Sequence, residues 1–258
     1  MKNFRFVLLA IAMLAIAACQ NDNNTITQTG DTIWDNNRPH NPWVFRSVLD
    51  KQARMVTMAL HQNLWVSYHA DEGSLYKAWI GGVNFDGPVY TTVHGPQPTS
   101  VGDAWLLPQN KSPWRLIVNG EVQPAKLRYK GHRFENGGAE LRYEIPTSAG
   151  QPVVITERPE YASGKNGLTK FQRFFSTSGL QGDMKVALET TVSSIATEND
   201  IETNGEWKVS DSKNSKNSTK TISGLLTLNS NGETYFHSTF VKSPAIKIIG
   251  AEGDLAEA

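Results

Sequence analysis

The chain has 258 residues, 25 basic and 25 acidic side chains, no formal net charge and one cysteine. Balanced charge with no basic stripe argues against a nucleic-acid binder, and a single thiol excludes a disulfide framework or a thiolate metal site. A chain of this length buries enough apolar surface to fold without covalent staples, and its seven Trp and seven Tyr are a rich aromatic supply.

The first elements are not part of a core. Lys2 and Arg5 precede an unbroken apolar run from Phe6 to Ala17, which closes on Ile16-Ala17-Ala18-Cys19. Spanning a bilayer takes about 20 apolar residues, more than this run offers. The layout is that of a secretory signal, with the cysteine standing where a soluble export signal has a plain cleavage site. It resembles the bacterial lipoprotein lipobox, in which the cysteine is lipidated and becomes the new N-terminus. The expected organisation is a signal peptide over 1–18, a lipid-anchored flexible tether over 19–40, a β-sandwich domain over 41–245 and a tail or truncated linker over 246–258. Without Lys2 and Arg5 the mature chain has 23 basic and 25 acidic residues, a net charge of −2. Two or three acyl chains hold a protein stably where one is marginal. The expected location is therefore the cell envelope, lipid-anchored to a membrane. Gln20 resembles the residue that, in one bacterial group, does not retain lipoproteins at the inner membrane. The stretch from Gln20 to Asp35 is rich in Asn, Asp, Thr and Gln and reads as a tether.

From Asn41 onward short apolar runs recur between turn formers, and each reads as a strand. Val48–Ala53 reads as one helical turn. Met55–Leu60, Leu64–Tyr68 and Leu75–Ile80 read as a meander, with turns at His61-Gln62-Asn63 and Ala70–Gly73. Trp114–Val118 leads into Asn119-Gly120, a strong hairpin dipeptide. The run from Leu127 to Phe134, then Glu140–Ile145 and Val153–Glu157, alternate apolar with polar, the mark of antiparallel strands with one wet face. Leu168–Phe175, Met184–Val192, Ile222–Leu228 and Tyr235–Val241 complete the set. Thr197–Thr219 is polar and reads as a long loop around one strand at Trp207–Val209, or as partly disordered. The fold class is all-β: a large antiparallel sandwich of about a dozen strands, with a mutarotase-like supersandwich as one form of it. The pattern from Leu64-Trp65-Val66-Ser67-Tyr68 to Trp79 resembles one propeller blade, but it does not repeat and one blade closes no ring.

Searches for chemistry are mostly negative. The sequence has no Gly-x-Ser-x-Gly elbow, no His-Glu-x-x-His, no phosphate loop and no Cys-x-x-Cys-His. The histidines at 40, 61, 69, 94, 132 and 237 lack ligand spacing, so no metal site is assigned. Tyr76–Ser100 mixes aromatics, glycines, prolines and polar groups in the way of a displayed loop. Within it Trp79, Phe85 and Tyr90 are candidates to stack on a sugar ring, and Asn84, Asp86 and His94 to bind its hydroxyls; the alternative is an ordered connection plugging the end of the sandwich. In Thr156–Tyr161, Glu157 is a candidate base and Arg158 a candidate anion clamp, or the two serve strand-end ion pairs.

The runs Asn41–Asp50, Lys77–Gly87, Val89–Pro98, Tyr129–Phe134 and Glu157–Tyr161 resemble the N-terminal β-rich module of large exported bacterial c-type cytochrome proteins. The resemblance covers roughly Asn41 to Val241. In that family the module precedes a class I haem-binding domain, often beside carbohydrate-related modules. The resemblance implies no catalytic residues for the module. It implies haem c only in a missing C-terminal domain, since this chain reaches Ala258 without Cys-x-x-Cys-His, and none is expected here. Three functions follow. The first is a binding or accessory module of a c-type cytochrome or carbohydrate-oxidising system, with a carbohydrate ligand and a cytochrome or dehydrogenase partner. The second is a mutarotase-like enzyme using His94 or His132 with Glu157 as acid and base. The third is a structural interaction domain with no small-molecule site.

Overall fold

Side chains alternate in sidedness along a strand, so many short apolar runs between turns can line a common core. The computed structural model describes residues 42–62, 64–85, 97–106, 112–135, 137–147, 150–215, 218–241 and 246–247. All of them fall in one compact unit, residues 34–258. Among the described residues there are seventeen strands and two single-turn 3-10 helices. The strands in chain order are β1 Trp43–Leu49, β2 Gln52–His61, β3 Leu64–His69, β4 Ser74–Asn84, β5 Thr99–Ala104, β6 Trp114–Val118, β7 Glu121–Pro124, β8 Arg128–Glu135 and β9 Gly138–Ile145. They continue as β10 Val153–Ser163, β11 Thr169–Ser178, β12 Lys185–Ile195, β13 Ile201–Thr203, β14 Glu206–Asn214, β15 Lys220–Thr227, β16 Thr234–Thr239 and β17 Ile246–Lys247. No helix among the described residues is long and apolar enough to cross a membrane.

The strands make three antiparallel sheets. Sheet 1 has the order β1-β2-β3-β4-β5-β17, sheet 2 the order β13-β16-β11-β10-β9-β8, and sheet 3 the order β14-β15-β12-β6-β7. Sheets 1 and 3 both pack on one face of sheet 2. Tyr68 of sheet 1 reaches Glu157 of sheet 2, and Trp207 of sheet 3 packs on Phe236 of sheet 2 at 5.1 Å between ring centroids. One core runs through all three, with Val56, Met58, Val66 and Tyr68 from sheet 1, Leu141, Tyr143, Phe171 and Phe175 from sheet 2, and Trp114, Leu188, Ile222 and Leu226 from sheet 3. The all-β sandwich expected from the strand pattern is the architecture found.

Several local features explain where the chain turns. Asn119 and Gly120 have φ of 51° and 81° and join the paired Val118 and Glu121, as a primed hairpin turn requires. Val48–Ala53 is not helical. Leu49 pairs with Gln52, and Asp50 and Lys51, at φ of 51° and 64°, make a two-residue hairpin. The Asp50 carboxylate accepts from the Ser100 backbone N–H at 2.7 Å and the Ser100 hydroxyl at 2.6 Å, and also from Lys77. Those long-range bonds fix a turn that the local sequence does not announce. Thr197–Thr219 holds more structure than a loop around three residues. It contains β13 and all of β14, whose charged, exposed side chains suit the edge of a sheet. β17 pairs with β5, so sheet 1 extends past the boundary expected at 245.

Strands β9 and β10 alternate buried and wetter positions as expected. Strands β2, β3 and β4 do not; they are buried on both faces. The outer face of sheet 1 carries a second apolar cluster of Leu49, Met55, Ala59, Trp65, Tyr76, Trp79, Val83 and Ala104.

Candidate functional site

Among the described residues, the sequence-predicted positions do not converge. Trp79 lies in β4 and is fully buried. Its indole N–H donates to the Gly82 carbonyl at 2.9 Å and its ring stacks on Trp65 at 6.0 Å. It is a core residue of the outer face, with no ring surface open to a sugar. Asn84, the last residue of β4, is 7% exposed and paired across to Thr99. Phe85 is 45% exposed and meets Phe45 edge-on at 5.1 Å, so of the three it alone offers surface. Asp86, Tyr90 and His94, like Cys19, the signal and the tether, lie outside the described residues.

Glu157 is fully buried in β10. Its Oε1 accepts from the Tyr68 hydroxyl at 2.6 Å and from Arg173 Nε at 2.7 Å. Burial, and then the Glu157 charge, push the Tyr68 phenol well above its ordinary range. A carboxylate ion-paired with a buried guanidinium and sealed from water cannot serve as the base expected of it, because a general base must reach its substrate directly or through one water. His132 shares a cross-strand row with Glu157, but Leu141 stands between them, about 10 Å by two inter-strand spacings. Arg158 points to the other face of sheet 2. It pairs with Glu160 and with Glu233 at 3.2 Å and lies over the Phe174 ring at 4.7 Å, so its charge is already used within the fold.

A different place on the molecule has the features of a site. β1 is an edge of sheet 1 and β8 an edge of sheet 2. Where these edges face each other, a groove of about 870 Å³ opens. Arg46 and Arg54 line it from sheet 1, Ala70–Glu72 from the turn after β3, and Ser112 with Pro124–Gly131 from the segments around β6 to β8. The volume lies within the ~300–1,000 Å³ of ordinary ligand pockets.

The groove is built around Tyr129. Its phenolic oxygen hydrogen-bonds His132 Nδ1 at 3.1 Å, and its ring packs against Tyr143 at 5.9 Å. The Arg46 guanidinium lies over the same ring, 5.4 Å from its centroid. Half-burial pushes the Tyr129 phenol up, and Arg46 pulls it partly back. Five cations and two carboxylates line the groove. Arg54 is tied to Asp71 by two bonds of 3.0 and 2.9 Å, and Lys130 to Glu144 at 3.3 Å. Among the described residues, no carboxylate forms an ion pair with Arg46, Lys126 or Arg128. His132 adjoins the groove through its hydrogen bond to Tyr129 and is not one of its lining residues. The sequence shows basic residues alternating through this stretch, but that alternation reads as an ordinary wet face. Only the packing of two distant edges brings Arg46 to it. Among the described residues no group of three or more His, Cys, Asp or Glu is placed to hold a metal.

No protein-family model matches the chain, and no curated protein matches it.

Proposed function

We propose that this protein is a lipid-anchored binding module of the bacterial cell envelope. It is held at the membrane through Cys19, takes a saccharide in the groove between β1 and β8, and serves a c-type cytochrome or carbohydrate-oxidising partner. The groove is the observation that supports binding. It is open, of ligand size and lined by Tyr129 together with Arg46, Lys126 and Arg128, which form no ion pair among the described residues; a few such polar groups orient a bound ligand. The burial of Glu157 favours binding over acid–base turnover. The anchor rests on the position of the lone cysteine after the apolar run, and the cytochrome or oxidising partner on the resemblance of the runs from Asn41 to Val241.

The test is a glycan array probed with the purified full chain in detergent, alongside Tyr129→Ala. The proposal expects saturable binding to a defined set of glycans, lost in a Tyr129→Ala protein that still melts cooperatively. Retention of no glycan by the wild type contradicts it and leaves a structural interaction domain.

A further inference from the structure

We propose that the groove selects acidic glycans, recognising the oxyanions they carry; this rests on the groove being the saccharide site. The argument starts from Arg46. A guanidinium lying over an aromatic ring keeps its in-plane N–H fork free, and that fork matches the two oxygens of a carboxylate or sulfate. Arg46 lies over Tyr129 in this way, Tyr129 is in turn held by His132, and no described carboxylate forms an ion pair with Arg46. The donor is therefore positioned before any ligand arrives, which lowers the ordering cost of binding. Lys126 and Arg128 line the same groove, also without an ion pair among the described residues. Arg54 and Lys130 are neutralised by Asp71 and Glu144 and play no part in the selection.

Three cations without an ion pair among the described residues, lining a groove of about 870 Å³, do not suit a neutral sugar, which would leave their charge unanswered. A single small anion would fill only a corner of that space. An extended chain bearing repeated carboxylates or sulfates answers both charge and volume. Glu72 also lines the groove, and beside it an anionic group would meet a like charge. Lys126 and Arg128 act through a field that salt screens within about 8 Å at physiological ionic strength. Arg46 is exposed as well, but its guanidinium over the Tyr129 ring makes a directed contact that salt weakens less.

The experiment is calorimetric titration of the purified full chain in detergent with four probes: a polyuronate, a sulfated glycan, a neutral glycan of matching length, and vesicles containing anionic phospholipid. Arg46→Gln, Arg46→Lys and Lys126→Gln are run beside the wild type, each first shown to melt cooperatively. The proposal predicts binding to at least one acidic glycan at least about tenfold tighter than to the neutral one, the scale of a charge-assisted pair. The polyuronate and sulfated arms tell which oxyanion is used. Arg46→Lys should lose nearly as much as Arg46→Gln, because the ammonium keeps the charge and loses the fork. Lys126→Gln should cost less and flatten the salt dependence. Equal binding of neutral and acidic glycans overturns the selection and leaves the saccharide site standing. No binding of any glycan overturns both. Full affinity in Arg46→Lys overturns the directed contact. Groove-dependent binding to the vesicles without glycan binding overturns the glycan assignment in favour of a membrane surface.

Discussion

Two residues test how charge is handled inside this sandwich. Glu157 and Arg173 are 0% and 3% exposed and are ion-paired at 2.7 Å through Glu157 Oε1, while Oε2 is buried without a hydrogen-bond partner among the described residues. Removing one member of such a pair strands a buried charge, at a cost of about 3–5 kcal/mol, whereas replacing both with apolar residues is often neutral. Urea unfolding should therefore show Glu157→Leu and Arg173→Met each strongly destabilised and the double variant far less so than their sum. Additive losses would show that the pair is not coupled. His237 makes a prediction in pH. It is 8% exposed, stacks on Tyr235 at 4.6 Å and meets Phe174 edge-on at 5.2 Å. Burial first, and the Lys170 charge second, hold its pKa below the ordinary histidine value, with Glu202 and Glu160 opposing. The folded state thus favours the neutral ring. Its contribution is full above the unfolded value of about 6.5 and is lost as pH falls through the lowered folded value. Melting temperatures at pH 7.5 and 5.5 should differ less in His237→Gln than in the wild type; an equal drop in both would remove His237 from the pH response.

Strands are where the sequence spoke most clearly, and where its silence has a physical reason. In β9 and β10 the period of two survives, because one face is wet. β2, β3 and β4 are buried on both faces, so apolar runs mark them as strands without showing which side meets sheet 2. Trp79 suffers from the same ambiguity, since a tryptophan for a covered outer face and one for a sugar platform look alike in sequence. β14 was legible only at Trp207–Val209, because its polar remainder carries no core. The Asp50-Lys51 turn depends on Ser100, fifty residues away, and the groove on the meeting of β1 with β8; neither leaves a local trace. Gly81 and Gly102 face each other across β4 and β5. A Cβ on Gly81 would sit 2.1 Å from the Val101 carbonyl oxygen, and one on Gly102 2.0 Å from that of Ile80. Both residues have positive φ, 131° and 115°. Gly81→Ala should lower stability by more than the ~1 kcal/mol of an average point substitution, measured by denaturant midpoint; an unchanged midpoint would mean the two strands can part at this point.

At the scale of the whole molecule, the proposed lipid anchor and the proposed recognition groove act together. Cys19 follows the apolar run, and the groove between sheet edges is proposed to take up the ligand. Cys19→Ser should leave the protein in the soluble envelope fraction, and its persistence in the membrane fraction would contradict lipid attachment. The most direct measurement of the central claim is hydrogen–deuterium exchange of the full chain with and without a saturating glycan. The account predicts slowed exchange concentrated in β1 around Arg46, the turn Ala70–Glu72 and Pro124–Gly131, with the core strands of sheets 2 and 3 unchanged. Protection confined to other surfaces, with these three segments unaltered, would contradict it.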